Sequence, residues 1–166
     1  FHGFCNGLIQ TYPEDFTEII GRQATNEIKQ IELIQKIIDD TRLEFLKPFG
    51  EPYFYLPEIR RSISSLKKEG VGPEDFRKIL EKEKEFFSKI DDLYYETGRY
   101  KGKMKGKYID MERRLNKNSE LALIYSKYQD ELAEAKLYDY DDMILQTASV
   151  LAKNQELLLR LQEKFQ

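Results

Sequence analysis

The chain has one cysteine, no tryptophan and no long apolar run. Its single cysteine, Cys5, excludes an internal disulfide and fits a reducing compartment. No apolar segment approaches the roughly 20 residues that a membrane-spanning helix needs. The first residues also lack the basic and apolar regions of a signal peptide. These absences predict a cytoplasmic protein without a membrane segment.

The composition favours a helical protein. The 166 residues are enough for one domain with a hydrophobic core. Apolar residues make up 40% of the chain and charged residues 34%, a balance that is common in helical proteins with long solvated faces. Because tryptophan is missing, tyrosine and phenylalanine are the large rings that can fill the core.

Apolar residues recur at helical spacing through most of the chain, and this pattern predicts an all-α single domain. The predicted helices cover residues 25–39, 56–68, 73–93, 108–115, 119–135, 140–151 and the segment after Asn154. The buried face of the first of these is predicted to carry Ile28, Ile31, Ile34 and Ile38. The best strand candidate, residues 52–56, is flanked by prolines and is predicted to be an extended connector.

Several helix ends carry local start signals. Asp139 is a predicted N-cap, and Asp142 lies three residues later, as in a capping box. Asn154 is a predicted cap for the last helix. Residues 116–119 contain further good caps, so a break is predicted there between two separate helices.

Charge is segregated along the sequence. Residues 99–117 carry a net charge of +6, so the other 147 residues carry −9. The basic segment contains lysine at every second position, namely Lys101, Lys103, Lys105 and Lys107. In an extended conformation, all four ammonium groups would face one side and could contact a phosphate backbone. The alternative interpretation is a flexible, solvated loop.

Three stretches share their order and spacing with one family. They are "FHGFCNGLI" at the start, "ISSLKKEGVGPEDF" at 63–76, and the closing segment from Tyr125, which contains "LYDYDDMILQ" and ends in "EKFQ". Together they resemble the UvrD/Rep/PcrA-type superfamily 1 DNA helicases. The resemblance implies that residues 1–16 form the edge of the first RecA-like core. Residues 17–152 would then be the helical insertion called subdomain 1B, and residues 153–166 a helix leading back to the core.

The resemblance implies an ATP-dependent DNA helicase as the complete protein, with ATP and Mg²⁺ as its cofactors. This chain has neither the G-x-x-x-x-G-K-[ST] phosphate loop nor the D-E-x-Q carboxylates from which the family builds its ATP site. We therefore expect no cofactor and no ATP hydrolysis in this chain. The implied partners are the motor domains and DNA at a single-strand/duplex junction, bound without sequence preference. A bacterial, nucleoid-associated location is implied as well.

The resemblance also implies DNA-binding residues outside the lysine segment. Phe1 and His2 match the T-F-H-x-F segment, which lies along the single-strand path in this family and would position the backbone. Lys67 and Lys68 precede a glycine turn that matches a loop near the duplex, where backbone amides could meet a phosphate. An ordinary connector between two helices is the alternative there. At 97–117 the chain departs from better-known members, so no contact is carried over.

Other functions remain open. Asp139, Asp141 and Asp142 could suggest a metal site, but capping accounts for two of them and no further ligand follows, so no metal is predicted. A helical protein-interaction module would also fit the pattern. So would the arm of a recombination-type nuclease-helicase.

Overall fold

The computed structural model describes residues 2–164, and this part of the chain is mainly helical. Its helices are α1 (His2–Thr11), α2 (Glu27–Asp40), α3 (Leu56–Lys68), α4 (Pro73–Ser88), α5 (Gly106–Glu134), α6 (Tyr140–Lys153) and α7 (Gln155–Lys164). A short 3₁₀ turn covers Pro13–Asp15, and two two-residue strands are β1 (Gln23–Ala24) and β2 (Leu137–Tyr138). The all-α prediction is confirmed. None of the helices in this range is long and apolar enough to cross a membrane.

The main hydrophobic core lies among α2, α3, α4 and α5. Its least exposed side chains include Ile34, Ile38, Ile59, Ile124 and Tyr125. The predicted face of α2 is confirmed in its second half only, because Ile28 is 70% exposed. Ile28 precedes Ile34 by six residues, which is more than one and a half helical turns, so it lies on another side of the helix.

Helix α5 runs without interruption through residues 116–119, so the predicted break is wrong. Asn and Ser are good caps, but inside a helix each is only about 0.5 kcal/mol less favourable than alanine. The hydroxyl of Ser119 donates to the Leu115 carbonyl oxygen at 2.6 Å within the helix. Tertiary contacts of the neighbouring Glu120 then decide in favour of one long helix.

The Glu120 carboxylate anchors the connector between α2 and α3. It accepts backbone N–H bonds from Glu44 at 2.6 Å, from Phe45 at 3.0 Å and from Leu46 at 2.8 Å. Residues 52–55 form turns and Leu56 begins α3, so the segment predicted at 52–56 is a connector but not an extended one. The connector is thereby held against the middle of α5.

The two ends of the described chain meet on one side of the core. Strands β1 and β2 pair in parallel, with Gln23 opposite Leu137. Helix α1 packs on α6, and α6 packs on α7. Two smaller apolar clusters fill these contacts, with buried residues Leu8, Phe16, Leu157 and Leu161 in one and Cys5, Ile19 and Met143 in the other. The segment that contains α2 to α5 therefore begins and ends at neighbouring points of the structure.

The predicted start signals of the last two helices are confirmed. Asp139 and Asp142 form a reciprocal capping box at the start of α6. Asn154 accepts the backbone N–H of Leu157 at 3.0 Å at the start of α7. Helix α4 begins at Pro73 as predicted but ends at Ser88 instead of continuing to residue 93.

A proline at position 119 tests the continuity of α5. Ser119→Pro removes a backbone donor from the interior of a helix and should lower the free energy of unfolding by about 3 kcal/mol or more. Ser119→Ala keeps the helix and should change stability by less than about 0.5 kcal/mol. Urea denaturation followed by circular dichroism measures both. If a helix began at Ser119, its first turn would tolerate proline, and the two variants would unfold alike.

Candidate nucleic-acid interface

The segment between α4 and α5 folds into a tight hairpin, which we call the lysine hairpin (residues 93–105). The Lys105 N–H donates to the Leu93 carbonyl at 2.8 Å, and the Tyr95 N–H donates to the Lys103 carbonyl at 3.0 Å. Leu93 is buried and anchors the base. At the turn, Gly102 has φ of 78°, a conformation that favours glycine. The hairpin is thus a defined structure.

The four predicted lysines do not form one extended face, so that prediction is wrong. Lys101 lies in the turn, and Lys107 lies in the first turn of α5. Lys105 and Lys107 both pair with Asp92, the latter at 2.6 Å. Lys101 and Lys103 make no ion pair within residues 2–164, and both are exposed. Two of the four ammonium groups are therefore free to bind an anion.

Asp92 fastens the base of the hairpin to α5. Hydrogen bonds from Lys105 and then Lys107 lower the pKa of its carboxyl to about 2. A carboxyl with a lowered pKa stabilises the folded state at pH values above the ordinary pKa of that carboxyl. This contribution is lost as the pH falls toward 2. At neutral pH the carboxylate is ionised and holds both lysines.

Basic side chains continue from the hairpin along α5. Arg113, Arg114 and Lys117 line a groove of about 270 Å³ between α3 and α5, together with acidic Glu58 and Asp110. Arg113 and Arg114 are exposed and make no ion pair in the described chain. The Lys117 ammonium lies 4.0 Å from the Tyr55 ring centroid. Of these residues only Lys117 falls in the predicted break at 116–119, and the continuous helix places it on α5 with Arg113 and Arg114.

Lys67 occupies a different environment from the one predicted. Its side chain is fully buried, and its ammonium lies 2.6 Å from both Asp139 and Asp142. A phosphate cannot reach it in this structure. The charge instead joins the end of α3 to the start of α6.

Further hydrogen bonds complete the site around Lys67. The Tyr128 hydroxyl donates to Asp139 at 3.0 Å, and the Gln129 amide donates to Asp142 at 3.0 Å. Burial raises the pKa of Asp142, and the nearby Lys67 ammonium opposes that shift. Burial also raises the pKa of Tyr128, so its phenol stays protonated and remains a donor. Two of the three carboxylates considered for a metal are therefore occupied by a cation of the chain itself.

The glycine turn after Lys67 serves mainly to end α3. Gly70 has φ of 71°, its N–H donates to the Lys67 carbonyl at 3.0 Å, and the Val71 N–H donates to the Leu66 carbonyl at 2.9 Å. These bonds form a Schellman motif and use the Val71 amide, one of those after Gly70 that were proposed for a phosphate. Lys68 is accessible, with its side chain 55% exposed and its ammonium 3.8 Å from Asp141.

The remaining candidates are Phe1, His2 and a metal site. Phe1 and the side chain of His2 lie outside the described residues. Within residues 2–164, no group of three or more His, Cys, Asp or Glu side chains is arranged to hold a metal ion.

The fold and the charge pattern define a helical protein with exposed basic side chains on the lysine hairpin and on the N-terminal half of α5. The family model of the UvrD/REP helicase N-terminal domain matches residues 1–166. The chain therefore belongs to the UvrD/REP helicase family. No curated protein and no solved structure matches the chain.

Replacing Lys67 distinguishes a structural charge from a DNA contact. Lys67→Met leaves Asp139 and Asp142 buried without their cation, which should lower the free energy of unfolding by about 3–5 kcal/mol. Lys68→Met is the matched control, and its loss should stay below about 1 kcal/mol because the pair is exposed. Urea denaturation of both variants measures the difference. Equal stability of the two would contradict the structural role of Lys67.

Proposed function

We propose that this chain is the DNA-binding helical region of an ATP-dependent helicase, corresponding to subdomain 1B, and that it holds duplex or junction phosphates during unwinding. The observation that carries the proposal is the set of exposed basic side chains on the lysine hairpin and on α5, in a member of the UvrD/REP helicase family. The contacts would be to phosphates, so no sequence preference is expected.

The arrangement of free cations supports this proposal. Lys101 and Lys103 project from the hairpin, while Arg113 and Arg114 follow on α5 without ion-pair partners in the described chain. The ten helical steps from Lys107 to Lys117 span about 15 Å. That distance covers about four phosphates of one DNA strand. A rigid helix can thus present several cations to one backbone.

The catalytic cofactors belong to the rest of the proposed helicase. ATP and Mg²⁺ would bind in the motor domains, since this sequence has no phosphate loop. The surface around α1, α6 and α7 is where the motor domains would join, because β1 and β2 bring the two ends of α2–α5 together there. The division into residues 1–16, 17–152 and 153–166 is part of this proposal.

A second candidate function is a protein-interaction module. Ile79 and Phe86 on α4 and Leu123 on α5 are 46%, 71% and 44% exposed. Exposed apolar side chains on neighbouring helices can bind a partner protein. This function and DNA binding use different surfaces of the chain.

The salt dependence of DNA binding tests the proposed phosphate contacts. Lys101→Gln with Lys103→Gln removes two cations of the hairpin that make no ion pair in the described residues. If both contact phosphates of a duplex, the slope of log affinity against log salt should become shallower by about 1.8, or about 0.9 for each lysine. Fluorescence anisotropy with a labelled duplex at several salt concentrations measures the slope.

Lys82→Gln with Lys84→Gln is the matched control. Both lysines are exposed on α4, make no ion pair in the described residues, and give the same change in net charge. This variant should retain the parent slope. Equal slopes for the two double variants would show that only total charge matters and would refute the assignment to the hairpin.

Removing Asp92 should have the opposite effect on binding. Asp92→Asn frees Lys105 and Lys107 from their partner, so affinity should rise and the slope should steepen by up to about 1.8. Asp91→Asn is the control, because Asp91 is an exposed neighbour without an ion pair in the described chain. The same anisotropy titrations measure both. Identical gains from both variants would mean that Asp92 does not restrain the two lysines.

A further inference from the structure

Three tyrosines of the lysine hairpin are open to solvent. The exposed fractions of Tyr94, Tyr95 and Tyr100 are 50%, 40% and 52%. Their hydroxyls make no hydrogen bond within residues 2–164. The rings of Tyr95 and Tyr100 lie side by side, with centroids 5.9 Å apart and planes tilted by 42°. Two neighbouring aromatic rings thus form part of the surface.

The hairpin does not need these rings for its own structure. Backbone hydrogen bonds close it, and the buried Leu93 anchors it. Elsewhere in the chain the tyrosines of the core are buried and bonded: the Tyr125 hydroxyl donates to the Val71 carbonyl at 3.1 Å, and Tyr128 donates to Asp139. The exposed pair contrasts with that use of tyrosine. An aromatic surface without an internal role is suited to an external ligand.

The chemistry around the pair favours one kind of ligand. The Lys103 ammonium lies 5.8 Å from the Tyr100 ring centroid, and the Lys105 ammonium lies 5.6 Å from that of Tyr95. Aromatic rings interleaved with cations bind single-stranded nucleic acid, because bases stack on the rings while ammonium groups neutralise phosphates. In an intact duplex the base faces are already covered by their neighbours. The rings therefore fit unpaired bases.

We propose that Tyr95 and Tyr100 form a stacking platform for unpaired DNA bases at a junction. This inference rests on the proposed function, in which the same hairpin contacts phosphates. The platform would hold bases that have left the duplex, while Lys101 and Lys103 hold the adjoining backbone. It adds contact with the base faces to a surface that otherwise recognises only charge.

The test separates binding to DNA bases from binding to DNA phosphates and uses the 166-residue chain. Tyr95→Leu with Tyr100→Leu should weaken binding to a mixed-sequence single strand by roughly 5- to 100-fold for each base that stacks. Binding to an abasic strand of the same length and to a blunt duplex should not change. The salt slope should also stay at the parent value, because no charge is altered. Unchanged affinity for the base-containing strand would overturn the proposal.

Two further variants control for fold and chemistry. Tyr95→Phe with Tyr100→Phe keeps the rings and should bind like the parent; a loss equal to that of the leucine variant would assign the effect to the hydroxyls and overturn stacking. Tyr94→Leu removes an equally exposed ring whose neighbour Tyr95 points to the opposite side of an extended segment. It should bind like the parent, and an equal loss would refute the assignment to this pair.

A measurement on the unmodified chain removes any dependence on how the variants fold. A single strand carrying 2-aminopurine should lose fluorescence when that base stacks on the platform. A signal that stays constant at saturation would overturn the proposal, as would equally tight binding of polyglutamate. Failure of the platform is distinguishable from failure of the proposed function. If the Lys101/Lys103 variant has a shallower salt slope while the tyrosine variants bind like the parent, only the stacking proposal fails.

Discussion

A single buried ammonium constrains the relative positions of three helices. The Lys67 ammonium is buried away from water. The energetic cost of this burial is offset only while Asp139 and Asp142 remain within hydrogen-bonding distance. Those carboxylates in turn cap α6 and accept bonds from Tyr128 and Gln129 on α5. Any shift of α3, α5 or α6 against the others would expose or unpair a charge. This site therefore joins the α2–α5 core to the helices at the two ends of the chain.

The basic surface depends on the same arrangement. Because α5 is held along its length by the Lys67 site, by Glu120 and by the packing of α4, it is one continuous helix. Its N-terminal half carries the exposed Arg113 and Arg114, which follow the hairpin along the chain. Within the hairpin, Asp92 divides the lysines by role: two fasten the loop to the helix, and two remain free. The positive charge concentrated in residues 99–117 of the sequence thus lies on the hairpin and on the start of α5 in the fold.

Much of the fold could be predicted because the relevant signals are local. The cap at Asp139 acts on a residue three positions away, as does that at Asn154, so spacing alone identifies both. At residues 116–119 and at Lys67 the structure differs from the prediction because it depends there on distant residues. Residues 116–119 are helical because the neighbouring Glu120 binds a turn more than 70 positions earlier in the chain. The role of Lys67 was decided by a carboxylate 72 positions later.

The sequence by itself determined the all-α class, the helix ends that carry caps and the segregation of positive charge, since each follows from composition or from neighbours within one turn. It also indicated the family, through the order and spacing of three stretches along the chain. Tertiary structure decided which cations are available. Lys67 and Lys101 are the same residue type, yet one is buried among carboxylates and the other is exposed. The physical reason is that burial and ion pairing depend on which distant side chains the fold brings within a few ångströms, and spacing along the chain does not encode that distance.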